Sequence, residues 1–295
     1  MKVVLHTGVH FTDEGRLLRC LQANERLLNS RGSHAPGASR YRKFLSDQAH
    51  ALADPKAKPP APEEVRRVFF GDVDAETRIE RLVLSHEQLW GVPKLAMQGG
   101  LPYRKAEDRT GAVRRLFPDA EFELFLAIRN PATFLPAAFR ETPLPSFDEF
   151  MSGLDPAEMR WSSLIARLRA AHPEIPITVW CNEDTPLIWG EIVREASGLE
   201  PGERIKGSFE LLAEIMQKEG MARFRAYLAE HPTINERQKR RVMSAFLDKY
   251  ALDDAIEDEV DLAGWDGVYI DALSASYEED VWQIGRMSGV TLIST

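Results

Sequence analysis

The opening stretch, residues 1–29, constrains this chain more than any other. Lys2-Val3-Val4-Leu5-His6 is apolar, β-branched and too short for a helix, so it reads as a buried strand. Thr7 to Gly15 is a polar turn that carries Gly8 and Gly15. Residues 16–29 then read as one amphipathic helix, with Leu17, Leu21 and Leu28 on one face and Leu18 and Leu27 beside it. A strand that runs through a glycine-containing turn into a helix is a device of α/β proteins. The unpaired N–H groups at the helix start point outward, and such proteins hold phosphate there.

The rest of the chain repeats this alternation. Apolar runs at 81–85, 123–128 and 177–180 read as further strands, and helical periodicity covers 109–117, 161–171 and 189–197. Apolar strands separated by helices predict an α/β fold, a parallel sheet flanked by helices. From 205 onward the chain is helical and charged. The expected organisation is therefore an α/β domain over 1–204 and a mainly helical C-terminal extension over 205–295, with the apolar tail 290–293 adding a strand or docking. Residues 54–62 hold four prolines, which mark a surface linker, in principle a lid over the site.

Composition narrows the function classes. A net charge of −9 argues against a broad nucleic-acid surface, though it leaves room for a local basic pocket. The two cysteines, Cys20 and Cys181, form neither a disulfide framework nor a metal-type cluster, so a cytoplasmic setting is expected. No apolar run approaches the ~18 residues that span a bilayer. Met1-Lys2 leads straight into a short strand rather than a secretory leader.

Two segments carry a more specific signal. His6-Thr7-Gly8-Val9-His10-Phe11-Thr12-Asp13-Glu14-Gly15, with Leu17, Leu21 and Asn24 after it, resembles the first motif of the sulfotransferase superfamily in its bacterial, P-loop-like form. That motif runs His-x-Gly-x-x-Lys-Thr-Gly-Thr/Ser-Thr and leads into a helix. Arg129-Asn130-Pro131, directly after an apolar strand, resembles the second motif, Arg-x-Pro followed by a helix bearing Ser and an aromatic residue. Leu84-Ser85-His86-Glu87 is similar to the family's Leu-Ser-x-Glu segment, and Asn182-Glu183-Asp184 to its Tyr-Glu-Asp turn. The closing Tyr277-x-x-Asp280 helix also has a counterpart there. This chain departs where the family makes its contacts. Phe11 stands for the lysine, Asp13 for the glycine, Glu14 for the hydroxyl residue, and Ala137 for the serine of the second motif, whose aromatic position is Phe139.

The resemblance implies transfer of a sulfonyl group from phosphoadenosine phosphosulfate (PAPS) to the hydroxyl of a small-molecule or glycan acceptor. Gly8, Thr12 and Gly15 would bind the donor's phosphosulfate, and Arg129 its ribose phosphate. Arginine suits that task because its planar fork can donate two hydrogen bonds to one phosphate. Glu87, or His10 in the first loop, would serve as the base for the acceptor hydroxyl. Arg40, Arg42 or Arg109 could supply the positive charge that Phe11 lacks. The residues also admit another reading. Thr12, Asp13 and Glu14 suit a helix cap, since acids in the first turn favour the helix dipole by ~0.3–1 kcal/mol each. Ser85 and Gln88 suit a capping box, and Asp184 a helix start. An alternative function follows: a catalytically inactive protein of this fold that binds a partner, a glycan or another anion.

Overall fold

The computed structural model describes residues 1–74, 76–256, 260 and 262–295. Six strands form one sheet, all parallel: β1 (Lys2–His6), β2 (Ser33–His34), β3 (Arg81–Ser85), β4 (Glu121–Ile128), β5 (Ile177–Cys181) and β6 (Val290–Ile293), in the order β2-β3-β1-β4-β5-β6. β1 lies inside the sheet, with Lys2 to His6 in register with Arg81 to Ser85 on one side and Glu121 to Phe125 on the other. Val3, Val4, Leu82, Val83, Leu84, Leu126 and Val179 are fully buried, as parallel strands covered on both faces require.

The helices between the strands are α1 (Arg16–Ala23), α2 (Glu25–Ser30), α3 (Ala38–Ala51), α4 (Pro62–Phe70), α5 (Ala106–Arg114), α6 (Pro131–Arg140), α7 (Phe147–Met151), α8 (Trp161–Ala171) and α9 (Thr185–Ser197). α1 packs against α9, while α3, α5, α8 and a late helix form a continuous row. The C-terminal portion holds α10 (Glu210–Glu214), α11 (Lys218–Glu230), α12 (Glu236–Tyr250), α13 (Asp253–Ile256) and α14 (Gly267–Ile284), which leads back into β6. Leu212, Met216, Met221, Phe224, Met243 and Tyr250 make a small core of their own in α10–α12. The late helix of the row is α14, which packs on α6 and α8.

Three features differ from expectation. The helix over 16–29 is broken in two at Asn24. Its side chain donates to the Cys20 and Lys206 carbonyls and accepts from the Lys206 amide, bonds that tie this turn to the C-terminal portion. Ser33 and His34, outside every expected strand, add a two-residue edge strand. The proline-rich segment is no lid over the first turn. Pro59, Pro60 and Pro62 line a cavity of about 810 Å³ with Met1, Ile79, Pro118 and Asp119, residues that precede strands and so lie at the sheet's amino edge. Arg115 pins the segment there through the carbonyls of Leu52, Asp54 and Ala57. Among the described residues no helix is long and apolar enough to cross a membrane.

Candidate functional site at the carboxyl edge of the sheet

Ligands of open parallel sheets collect beyond the carboxyl ends of the strands, and the sequence-derived residues converge there. β1 does not stop at His6. Thr7 N–H donates to the Phe125 carbonyl at 3.2 Å and Val9 N–H to the Ala127 carbonyl at 3.0 Å, so the strand ladder runs on through Gly8 to Val9. The chain then turns sharply. Gly8, Phe11, Glu14 and Gly15 all have positive φ, at 52°, 64°, 50° and 75°. Left-handed backbone at Phe11 and Glu14 is strained, and strain of this kind concentrates at ligand sites and tight turns. A Cβ on Gly8 would stand 3.0 Å from Thr12 Oγ1.

Several groups of the turn bond within it. Thr12 Oγ1 donates to the Val9 carbonyl at 2.7 Å. Asp13 does the capping: its carbonyl accepts from Arg16 N–H and its Oδ1 from Leu17 N–H, both at 2.8 Å. The Asp13 side chain is buried, so a carboxylate of the chain itself fills the electropositive start of α1. The loop amides of Thr7, Val9 and His10 are also taken, the last by the Tyr103 hydroxyl. At this helix start a phosphosulfate would meet the Asp13 carboxylate. The seat holds an acid, and no lysine stands in the turn.

His10 is a buried imidazole rather than an exposed base. One ring nitrogen lies 2.7 Å from the Tyr103 hydroxyl and the other 3.1 Å from the Gly91 carbonyl. Burial pushes its pKa down to about 4. Glu87 is half-buried two residues after β3. Burial, then the nearby Asp13 carboxylate, raise its pKa, while Arg42 pulls it back. Glu87 therefore faces the turn in a setting that favours a proton-carrying carboxyl more than solvent does.

Arg129 meets the same turn from β4. Its Nη1 donates to the Phe11 carbonyl at 3.1 Å and its Nε to Thr133 Oγ1 at 3.0 Å. Asn130 caps α6 through the Ala132 amide and donates to Ser274. Glu183 accepts from the Asn130 amide and the Tyr277 hydroxyl, so this acid is a strut between β4, β5 and α14. Phe139 packs edge-on against Phe147 in an aromatic cluster.

Of the three arginines considered, Arg42 is the one at the turn. Its Nε donates to the Ser85 carbonyl at 3.0 Å, and its Nη2 lies 3.9 Å from where a Cβ on Gly15 would stand. Arg40 turns away to Asp72, and Arg109 donates to the Leu89 carbonyl. Arg42, Lys43, Ser46, His86, Glu87 and Gln88 line a cavity of about 380 Å³. A second of about 480 Å³, reaching Arg109, shares Ser46 and Gln88 with it. Together they make a groove between α3 and the segment after β3, in which Arg42, Lys43 and Arg109 stand against the carboxylates of Glu87 and Asp47, the latter paired with Lys43 at 2.6 Å. The sequence signal for it, Arg40-Tyr41-Arg42-Lys43, does not say which cation faces the turn. Among the described residues no cluster of His, Cys, Asp or Glu could hold a metal ion. No protein-family model, curated protein or solved structure matches this chain.

Proposed function

We propose that this chain is a sulfotransferase-like protein that has lost the donor cradle of that family and binds a small anionic molecule, such as a sulfated or carboxylated sugar, in the groove beside Glu87. The observation that carries this reading is Asp13. Its Oδ1 takes the Leu17 amide at the start of α1, where a phosphate would need that donor. Arg42 and Arg109 supply positive charge in the groove instead, while Lys43 is paired with Asp47. Calorimetry tests it. Phosphoadenosine phosphate, the desulfated donor, should give no heat up to roughly millimolar concentration. A binding sugar sulfate should lose affinity in Arg42→Ala.

A second reading, sulfonyl transfer from PAPS to an acceptor hydroxyl, draws support from one contact. The Arg-Asn-Pro corner reaches the first turn through Arg129 and Phe11, as a shared donor site would need. In that reading Arg129, Gly8, Thr12 and Gly15 would hold the donor and Glu87 would be the base. Micromolar binding of phosphoadenosine phosphate, lost in Arg129→Ala, would establish it over the first.

A further inference from the structure

The groove contains a pair of side chains that neither reading uses. Ser46, on α3, places its Oγ 2.6 Å from Nε2 of His86, the residue that follows β3. Ser46 lies on the wall common to both cavities, and His86 lines the smaller one. His86 is buried, whereas Ser46 is half-buried and faces open space. The residue is anchored through its backbone. The His86 amide donates to the His6 carbonyl at 2.8 Å, and the Arg42 carbonyl lies beside the imidazole. With its proton on Nδ1, the imidazole accepts the Ser46 hydroxyl through Nε2, which is the relation of an activated nucleophile to its base. The guanidiniums of Arg42, in the smaller cavity, and of Arg109, in the larger, both act electrostatically on the same ring.

We infer that Ser46 and His86 form a nucleophilic dyad for acyl transfer from a small ester that carries a second, anionic group. Ser46 Oγ attacks the ester carbonyl carbon as His86 Nε2 takes the hydroxyl proton. The new oxyanion develops beside Arg42 and Arg109, which disfavour the imidazolium in the free protein and are offset by that oxyanion once it forms. The C–O bond to the leaving group then breaks, and His86 returns its proton to the departing oxygen. Water, deprotonated by His86, releases the acid and restores the Ser46 hydroxyl. A purely structural pairing would satisfy a buried histidine equally well. It gives no reason for the serine to open onto the junction of two cavities with a cation on each side.

The inference shares the groove of the first reading but not its ligand, so the two fail separately. The test is covalent labelling of the full chain with an alkyl fluorophosphonate, in which a Ser Oγ–P bond forms and P–F breaks. Tryptic mass spectrometry locates the adduct. Ser46 should be labelled, and the rate should fall about 10²-fold or more in His86→Gln, a variant that keeps a hydrogen bond to Ser46 but cannot act as a base. Circular dichroism verifies that the variant is folded. No Ser46 adduct under conditions that label a known serine esterase would overturn the inference. So would an adduct on other serines only, or one formed at an unchanged rate in folded His86→Gln.

Discussion

Replacing Asp13 by Asn removes one negative charge and leaves the local geometry in place. The amide oxygen still accepts from Leu17 N–H, the bond that Oδ1 makes at 2.8 Å. The loss to folding is then chiefly the interaction of the charge with the dipole of α1, up to about 2 kcal/mol for a carboxylate out of solvent. The gain for an incoming anion is larger. Two unit charges ~4 Å apart repel by about 4 kcal/mol at an effective dielectric of 20. That is a ceiling, because solvent and salt screen a ligand at the surface. Taking a third of it to the whole gives a rise in affinity of between about tenfold and 10³-fold. Calorimetry with phosphoadenosine phosphate measures the gain, and urea unfolding measures the small loss of stability. The double variant Phe11→Lys with Asp13→Gly introduces the charge pattern of the sulfotransferase motif and should bind more tightly still, at the expense of the cap. A folded Asp13→Asn protein that binds no better than the parent would refute the argument that this carboxylate closes the seat.

Three further perturbations have worked signs. Burial holds His10 and His86 at about 4 against an ordinary 6.5. The unfolded chain therefore takes up protons below that ordinary value while the folded one does not. Stability falls as pH drops from ~6.5 toward ~4, by about 3 kcal/mol per histidine over the full window, with the raised Glu87 and Glu183 opposing it. In urea titrations His10→Gln should lose about 2 kcal/mol less than the parent between roughly pH 7 and 5, and an equal loss would contradict the burial argument. Gly8→Ala puts a methyl group 3.0 Å from Thr12 Oγ1 at a φ of 52° and should destabilise by about 1–3 kcal/mol. A change within about 0.5 kcal/mol would show that the turn is free to rearrange. Asp280→Ala removes the acceptor of the Trp161 and Ser162 amides at the start of α8 and should cost about 1–3 kcal/mol, with Asp280→Asn recovering most of it.

The sheet was legible because its strands are buried on both faces and so read as unbroken apolar runs. β1 and β3 lie where their β-branched and aliphatic residues put them. What was not legible depends on partners distant in sequence. The break at Asn24 is enforced by Lys206, and no periodicity within 16–29 announces it. β2 exists because Ser33 and His34 pair with Arg81 and Leu82, and two residues carry no pattern. The place of the proline-rich segment is set by a single guanidinium, Arg115, reaching back across α5 to its carbonyls. In the groove, Ser46 and His86 are forty positions apart, and only the packing of α3 beside β3 brings them together.

The Arg129 corner is a structural tie in its own right. It is held from three sides by the C-terminal helix and its neighbours. Asn130 bonds Ser274, Tyr277 bonds the Glu183 that holds the Asn130 amide, and Asp280 caps α8, whose Trp161 indole donates to the Arg129 carbonyl at 2.7 Å. From that fixed base the guanidinium reaches the carbonyl of Phe11, one of the two strained non-glycine residues of the turn. The arginine therefore steadies the turn whether or not a phosphate is bound. The corner residues are bonded to one another, and the positions that depart from the motif, Phe11, Asp13 and Glu14, lie in the turn that this corner holds.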